Sequence, residues 1–358
     1  MKTTFFGHTL QSPIIIGSGP MSYGAAGMIR LYRAGAGAVV TKTINRNAAQ
    51  NPDRHMVQYG AGTLINCEKW SDYPMERWLE REIPAAVAAG VPCIASVGHT
   101  VEDSRLCVER LEEEGCIAIE LVSYDDATVL PMLEDTKKRV KIPVIVKLSP
   151  NSPDFLAHAK RCIDAGADAF TACDSMGPAL QIDIETGKPV LGGADGYGWL
   201  SGGMIRPFTL QKICALRQQT DLPVIGLGGV AKWQDGIEMV MAGADYIGVC
   251  SAVILQGPAF ITRMNEQIDS YLTGHGYQSL SDIRGLVQKH LPSPVPQGQG
   301  YEMKIDAAHC THCGRCVRVC PYQARSFGED GLPRIDQAAC RKCGLCVSIC
   351  KYLSIVQE

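Results

Sequence analysis

The sequence lacks a strong excess of either charge, a long apolar run and a recognisable leader. With 34 Lys and Arg against 37 Asp and Glu, the formal net charge is −3, which argues against nucleic acid as a partner because phosphate binding needs a clustered positive surface. No stretch reaches the ~18 uncharged apolar residues that cross a bilayer, and residues 1–20 lack the charged-then-apolar layout of a signal peptide. We therefore expect a cytoplasmic protein with no membrane partner and with reduced cysteines.

Cysteine, in contrast, is abundant, and half of the 16 cysteines fall near the C-terminal end in two matched runs. Each run reads C-x2-C-x2-C-x3-C. In bacterial ferredoxins with this spacing, the fourth cysteine of each run ligates the other cluster. The spacing assigns one [4Fe-4S] cluster to Cys310, Cys313, Cys316 and Cys350, and a second to Cys340, Cys343, Cys346 and Cys320. Two structural zinc sites are the alternative, but zinc leaves two cysteines of each run without a use.

Short β-branched runs alternate with helical stretches before this tail, a pattern typical of parallel βα architecture. Eight runs are predicted as strands: 13–19, 38–43, 92–98, 117–123, 143–149, 169–175, 223–230 and 246–252. Eight is the strand number of a TIM barrel. The sequence thus predicts an α/β protein with a (β/α)8 TIM barrel over residues 1–290, a linker over 291–300, and a C-terminal dicluster ferredoxin-like domain over 301–358. Two long loops, 44–77 and 177–203, are expected to carry the site.

Residues at the C-terminal ends of the strands, where TIM barrels carry their active sites, indicate a ligand rich in oxygen and carbonyl groups. Gly228 and Gly229 follow strand seven, where barrels commonly bind phosphate through backbone N–H groups. Lys42 and Lys147 end strands two and five inside otherwise apolar runs. Because a buried ammonium group needs an acceptor, a flavin mononucleotide (FMN) would account for both lysines. Salt-bridged structural lysines are the alternative.

Several stretches resemble the dihydroorotate dehydrogenase superfamily, and with its tail the chain resembles the pyrimidine-reducing part of dihydropyrimidine dehydrogenase. The stretches are Thr41-Lys42-Thr43, Ile94-Ala95-Ser96, Val146-Lys147-Leu148-Ser149-Pro150-Asn151, Ser201-Gly202-Gly203-Met204-Ile205-Arg206-Pro207, Gly228-Gly229 and Val249-Cys250-Ser251-Ala252. The resemblance implies that FMN is bound by Ser18, Lys42, Thr43, Lys147, Ser175, Gly202, Gly228, Gly229, Cys250 and Ser251. It also implies that Asn66 and Glu68 match the Asn-x-Glu pair that holds the substrate ring, since an amide and a carboxylate suit adjacent N–H and C=O groups.

The segment after strand four departs from the family pattern. Where the family reads Glu-Leu-Asn-x-Ser-Cys-Pro, residues 120–126 read Glu-Leu-Val-Ser-Tyr-Asp-Asp. The proton-donating cysteine is absent, and Val122 stands in place of the ring-binding asparagine. The later Asn-Thr pair of the family is Asp174 and Ser175, which we expect to contact the substrate. These departures weaken the assignment of orotate or uracil as substrate and leave the flavin and the clusters unaffected.

A catalytic acid must replace the missing cysteine. Tyr124 is protonated without tuning, whereas an aspartate such as Asp125, with a pKa of about 3.9 when free, needs burial to hold its proton. We predict that the acid is Tyr124 or Asp125, with Ser123 as the third candidate. The alternative is that Asp125 and Asp126 cap the next helix. His99, after strand three, is a weaker candidate for a role in the site.

Together these features predict an FMN- and iron–sulfur-dependent oxidoreductase that acts on the activated C=C or CH–CH bond of a small cyclic or conjugated carbonyl or amide compound. Electrons are expected to pass between the two [4Fe-4S] clusters and FMN. No nicotinamide-binding fingerprint is visible, so the donor should be an FAD subunit that oxidises NAD(P)H, or ferredoxin. The alternatives are a dihydropyrimidine or dihydroorotate dehydrogenase with a changed acid, and an electron-transfer subunit with a non-catalytic barrel. We also expect a homo-oligomer, in the form of a dimer.

Overall fold

The computed structural model describes residues 1–291, 303–352 and 355–357. The chain divides into two units, Met1–His290 and Leu291–Glu358. Of the linker predicted at 291–300, all but Leu291 lies outside the described residues. None of the described helices is both long and apolar enough to cross a membrane.

Eight parallel strands, numbered β1 to β8 here, close into a barrel in the first unit. They are β1 Ile14–Ile16, β2 Ala38–Val40, β3 Cys93–Val97, β4 Ala118–Leu121, β5 Val144–Leu148, β6 Ala169–Ala172, β7 Val224–Gly226 and β8 Tyr246–Val249. Each lies within a range predicted as a strand. The ring closes where β8 pairs with β1, with Val249 opposite Ile16. The predicted (β/α)8 TIM barrel is therefore confirmed.

Helices follow the strands and bury their apolar sides. They are α1 Ala25–Arg33; α2, made of the consecutive segments Met75–Arg77, Trp78–Glu82 and Ile83–Ala88; α3 Val101–Arg105; α4 Val108–Glu113; α5 Asp126–Arg139; α6 Phe155–Asp164; α7 Arg206–Arg217; α8 Trp233–Ala242; α9 Ser251–Gln256; and α10 Ala259–Gly274. Successive strand residues point to opposite faces. In β2, Val39 belongs to the hydrophobic cluster that also contains residues of the helices, whereas Ala38 and Val40 belong to a second hydrophobic cluster, made mostly of strand residues.

An N-terminal hairpin of Thr3–Phe5 and His8–Leu10 contributes to the second of these clusters. Its Phe5 and Leu10 are fully buried, and the Phe5 ring lies 5.2 Å from the ring of Tyr246, the first residue of β8. Because Tyr246 marks the N-terminal end of its strand, the hairpin fills that end of the barrel. The opposite end, where the strands finish, is left for a site.

The two long loops pair with each other in a four-stranded antiparallel sheet. Its strands, in spatial order, are Met176–Ala179, Gly198–Gly202, Thr63–Asn66 and Met56–Gln58. Trp199 lies opposite Asn66, so residues far apart in the sequence become neighbours. A short hairpin of Ile182–Asp183 and Lys188–Pro189 extends from the second loop. The sheet holds both loops in fixed positions after the strands from which they leave.

The second unit consists of two matched halves. Met303–Ile305 pairs with Ile355–Gln357, and Arg325–Phe327 pairs with Pro333–Ile335. Each half contains one short helix, Arg315–Arg318 or Leu345–Ser348, which begins after a left-handed glycine: Gly314 at φ 68° and Gly344 at φ 79°. The third cysteines of the two runs, Cys316 and Cys346, are buried against Ile355. This is the ferredoxin-like arrangement predicted from the cysteine spacing.

Candidate active site

A cavity at the C-terminal end of the barrel brings most of the predicted site residues together. Its volume is about 330 Å³, within the range of about 300–1,000 Å³ usual for small-molecule sites. All of the residues predicted to bind FMN line it: Ser18, Lys42, Thr43, Lys147, Ser175, Gly202, Gly228, Gly229, Cys250 and Ser251. The residues predicted to contact the substrate line it as well: Asn66, Glu68, Asp174 and Ser175.

Lys147 is a buried cation between two carboxyl groups. It lies on β5, and its Nζ is 3.4 Å from Asp174 Oδ1. The second carboxyl group, Glu120 of the adjacent strand β4, is fully buried and accepts a hydrogen bond from Thr171 Oγ1 at 2.7 Å. Burial alone would lower the pKa of Lys147, but the charges of Asp174 and Glu120 outweigh it and raise that pKa. Lys147 is therefore a lasting positive charge that faces the cavity.

Lys42 is the second buried cation. It follows β2, and its Nζ lies 2.6 Å from Oε1 of Glu68, which the loop 44–77 contributes. Apart from this ion pair, Nζ is shielded from solvent and makes no hydrogen bond to the described residues. An ammonium group has three N–H donors. Donor capacity is therefore left for acceptor atoms of a ligand in the cavity.

The glycines after β7 leave backbone surface open to the cavity. Gly228 and Gly229 have φ values of 98° and 127°, a region that residues with a Cβ rarely adopt. A Cβ on Gly228 would lie 2.9 Å from the carbonyl oxygen of Cys173, and one on Gly229 would lie 2.5 Å from the Cβ of Arg206. Only glycine fits at either position. The backbone that these glycines present to the cavity is suited to bind phosphate through N–H groups.

Hydroxyl and thiol groups complete the part of the cavity predicted for FMN. Ser18 Oγ lies 3.3 Å from Thr43 Oγ1, and Ser251 Oγ donates to Ser201 Oγ at 2.9 Å. Burial raises the pKa of Cys250 to about 11, so this group is a neutral thiol. With two buried ammonium groups and a glycine-lined cradle beside these hydroxyls, the residues present fit FMN.

The residues after β4 do not share one location. Tyr124 lines the cavity, whereas Ser123 and Asp125 are not among its lining residues. The carboxylate of Asp125 caps α5 by accepting hydrogen bonds from N and Oγ1 of Thr128, at 3.0 and 3.1 Å. Asp126 instead forms an ion pair with Arg161 and a hydrogen bond with Nδ1 of His158. The acid role predicted for Tyr124, Asp125 or Ser123 stays a prediction, and Tyr124 is the one member placed at the cavity.

Tyr124 is engaged with a predicted substrate-binding residue. Its hydroxyl donates to Asp174 Oδ2 at 3.1 Å, while Asp174 Oδ1 accepts a hydrogen bond from the backbone N–H of Ser175 at 2.7 Å. The negative charge of the neighbouring Asp174 carboxylate raises the pKa of Tyr124 above its usual range, although more than half of the Tyr124 side chain is exposed. The phenol therefore keeps its proton through neutrality and holds the carboxylate in place.

Three further aromatic side chains line the cavity: two tryptophans that sequence reasoning left without a role, and the histidine that it gave only a minor place. They are Trp70, His99 and Trp199. The His99 ring lies 5.9 Å from that of Trp70 and 6.4 Å from that of Tyr124. His99 could have been weighted more heavily from its place directly after β3, since catalytic residues in TIM barrels follow strand ends. The two tryptophans come from the long loops, whose folding the sequence does not reveal.

In the second unit, the cysteines assigned to one cluster surround one cavity. Cys310, Cys313 and Cys316 of the first run line it together with Cys350 of the second run. The assignment of these four cysteines to one cluster stays a prediction. Among the described residues, no three His, Cys, Asp or Glu side chains converge on a point that could hold a single metal ion.

Comparison with known families gives two matches that follow the division of the chain. The sequence profile described as dihydroorotate dehydrogenase matches residues 1–272. The profile described as a 4Fe-4S dicluster domain matches residues 302–351.

Individual relatives carry the name dihydroorotate dehydrogenase B (NAD(+)), catalytic subunit. The protein from Methanothermobacter thermautotrophicus is 30% identical over 305 residues, which cover 80% of this chain and 98% of the relative. The protein from Pyrococcus abyssi is 31% identical, and the match covers 81% of this chain and 99% of the relative. The protein from Thermococcus kodakarensis is 32% identical, and the match covers 78% of this chain and 95% of the relative. These relatives are matched almost completely, whereas about a fifth of this chain has no counterpart in the alignments.

Proposed function

Because this chain belongs to the dihydroorotate dehydrogenase family, we propose that it transfers electrons between two [4Fe-4S] clusters, FMN and a small cyclic or conjugated carbonyl or amide compound. It is an iron–sulfur flavoprotein oxidoreductase that acts on CH–CH groups. The observation that supports the proposal most is the convergence of Lys42, Lys147 and the glycine-lined backbone of Gly228 and Gly229 on one cavity. We further propose that the barrel and the ferredoxin-like unit are separate domains.

FMN, when bound, supplies a carrier that accepts or donates a hydride. The open backbone at Gly228 and Gly229 would hold its phosphate, and Lys42 and Lys147 would bind its acceptor atoms. Asn66 and Glu68 would orient the substrate, since both line the same cavity. The proton on the neighbouring carbon is exchanged by a side chain at the cavity.

The substrate is proposed to be other than a pyrimidine. A uracil or orotate ring presents N–H and C=O groups in pairs, which amide side chains match well. Here Val122 offers no amide, and the Asp174 carboxylate is already bound by Tyr124 and Lys147. A ring or conjugated chain with fewer polar groups would fit better.

Dihydroorotate or a dihydropyrimidine is the second candidate. Two observations favour it: Asn66 and Glu68 line the cavity, and the relatives are named for dihydroorotate. One double variant separates the candidates. It combines Val122→Asn with Asp174→Asn and so introduces amides where the family has them. If the proposal is correct, this variant should turn over uracil or dihydroorotate faster than the unchanged protein does. High turnover of either compound by the unchanged protein would favour the second candidate.

Electrons are proposed to enter through the C-terminal unit from another polypeptide. The dihydroorotate dehydrogenase profile ends at residue 272 and the 4Fe-4S dicluster profile begins at residue 302, so the cluster domain lies outside the part of the chain that matches the dehydrogenase family. An FAD subunit that oxidises NADH or NADPH, or ferredoxin, would be the donor. A homodimer in the cytoplasm completes the proposal, since thiolate-ligated clusters suit a reducing compartment.

An anaerobic screen tests the function. Protein reduced with dithionite is mixed with unsaturated cyclic and conjugated carbonyl and amide compounds, and flavin reoxidation is followed by absorbance. We expect rapid reoxidation by at least one compound, with product reduced at its C=C bond. If no compound reoxidises the flavin while the clusters still exchange electrons with ferredoxin, the barrel is not catalytic and the protein is an electron-transfer subunit.

A further inference from the structure

The residues after β4 leave the site without a well-matched acid. Asp125 is bound to the N-terminus of α5 through Thr128. The hydroxyl proton of Tyr124 is directed at Asp174, and the charge of that carboxylate raises the pKa of Tyr124. A general acid or base works best when its pKa lies near the operating pH. A different side chain at the cavity is better suited to the proton step.

His99 is the histidine among the described residues that line this cavity. It is half-buried, and its ring is held between those of Trp70 and Tyr124, at centroid distances of 5.9 and 6.4 Å. Its backbone N–H donates to Asp103 Oδ2 at 3.3 Å, and Asp103 in turn accepts a hydrogen bond from Thr100 Oγ1 at 2.6 Å. The imidazole is therefore fixed in position from two sides and through its backbone.

The tautomer of His99 follows from its partner. Nδ1 lies 3.1 Å from the carbonyl oxygen of Val122. Since a carbonyl oxygen only accepts, Nδ1 must carry the hydrogen, and the lone pair of the neutral ring is on Nε2. Nε2 has no hydrogen-bond partner among the described residues. It is available to a molecule in the cavity.

Charges around His99 act in both directions. Burial lowers the pKa of His99. The hydrogen bond to Val122 and the carboxylates of Asp103 and Asp174 raise that pKa in part, whereas the Lys147 ammonium group lowers it further. Tyr124, the remaining titratable neighbour, is neutral. The net result is a pKa below the usual value, so the ring is a neutral base at pH 7 that can take up a proton during the reaction.

We propose that Nε2 of His99 exchanges the proton with the substrate carbon next to the carbonyl group, an inference that rests on the proposed function. In the oxidative direction, the C–H bond on this carbon breaks and its proton goes to Nε2. The C–H bond on the neighbouring carbon would also break, its hydride would pass with two electrons to bound FMN, and the electron pair left by the departing proton would form the C=C bond. Reduction is the reverse. Tyr124 is then a positioning residue that holds Asp174 and packs against the imidazole.

The first test needs no substrate. Protein labelled with [15N]histidine is studied by NMR in the oxidised form, and the His99 signals are identified by their loss in His99→Asn. We expect a neutral ring protonated at Nδ1 that titrates below about pH 6.5. A ring protonated at Nε2 would overturn the proposal, whatever the enzyme's substrate.

The second test is kinetic and uses uracil and 2-cyclohexen-1-one as probes for the dithionite-reduced protein. His99→Asn keeps an N–H for Val122 and removes Nε2, so flavin reoxidation should slow by about 10²- to 10⁴-fold while FMN and iron contents are unchanged. It should also remove the pH dependence that the imidazole causes. Tyr124→Phe should keep that pH dependence and lose less activity.

His55→Asn is the matched control, because its Nδ1 is also bound to a carbonyl oxygen, that of Pro52 at 2.9 Å, and it does not line the cavity. It should react like the unchanged protein. If His99→Asn does not fold, His99→Ala with added imidazole replaces it, and imidazole should restore the rate.

A normal rate in His99→Asn, or loss of the pH dependence in Tyr124→Phe alone, would refute the role of His99. A different result, in which the flavin of the unchanged protein is not reoxidised by any probe, would count against the proposed function, and the NMR experiment would still decide the state of His99.

Discussion

Replacement of Lys147 by methionine should expose how strongly the buried charges depend on one another. Lys147→Met removes the cation that lies between Asp174 and Glu120 but keeps a long apolar side chain on β5. Removing one partner of a buried ion pair typically costs about 3–5 kcal/mol, because the remaining charge is left buried. We therefore expect a loss of this size in the free energy of unfolding at neutral pH.

The loss should depend on pH with a definite sign. Burial raises the pKa of Glu120, and Lys147 opposes that shift. Without Lys147, the folded-state pKa of Glu120 rises further above its unfolded-state value of about 4.3. A carboxyl group with a raised folded-state pKa contributes stability that is complete below the unfolded-state pKa and is lost as pH rises through the folded-state pKa. Lys147→Met should therefore be more stable near pH 5 than near pH 8.

Urea unfolding of flavin-free protein, followed by tryptophan fluorescence, measures this effect in the barrel alone. All of the tryptophans lie in the first unit: Trp70, Trp78, Trp199 and Trp233. Lys137→Met is the control, because Lys137 pairs with Asp168 at 2.6 Å while both side chains remain about one-third exposed. This substitution should lower the free energy of unfolding by at most about 1 kcal/mol. Glu120→Gln added to Lys147→Met should remove most of the pH dependence. Equal stability of the Lys147 and Lys137 variants, without pH dependence, would refute the reasoning.

Three further outcomes are expected. Anaerobic analysis should find about eight irons and one FMN per chain, and zinc or about four irons would overturn the two-cluster assignment. NADH alone should reduce the protein slowly, whereas rapid flavin bleaching without a partner would show that no separate donor is needed. Gly202→Ala should bind flavin poorly, because φ at this position is 91° and the new Cβ meets the carbonyl oxygen of Gly62. Gly203→Ala is the control and should bind flavin normally, because its new Cβ would lie 3.7 Å from its nearest neighbours. Equal flavin contents in the two variants would contradict this account of the cradle.

Asp125→Ala should lower the free energy of unfolding by about 1 kcal/mol, the usual loss for a helix cap, and leave turnover near that of the unchanged protein. Lost turnover with unchanged stability would restore Asp125 as the acid.

The sequence by itself determined the barrel and the position of its site. β-Branched runs with helical stretches between them have few other ways to bury their apolar faces, so all eight strands lie within their predicted ranges. Lys42 and Lys147 could be recognised because an ammonium group inside an apolar run requires a partner. The cysteine runs could be read because cluster geometry restricts the spacing of ligands that lie close together in the chain.

Only the tertiary structure decided which side chains meet in the cavity. Asn66 becomes a neighbour of Trp199, and Tyr124 of Asp174, through pairings between distant segments that local sequence preferences do not encode. Asp125 is a local exception, because its cap partner Thr128 lies only three residues further along the chain, and capping was one of the two roles that the sequence left open. Strands and cluster motifs depend on neighbours in sequence, whereas proton-transfer groups are defined by partners that the fold brings from elsewhere.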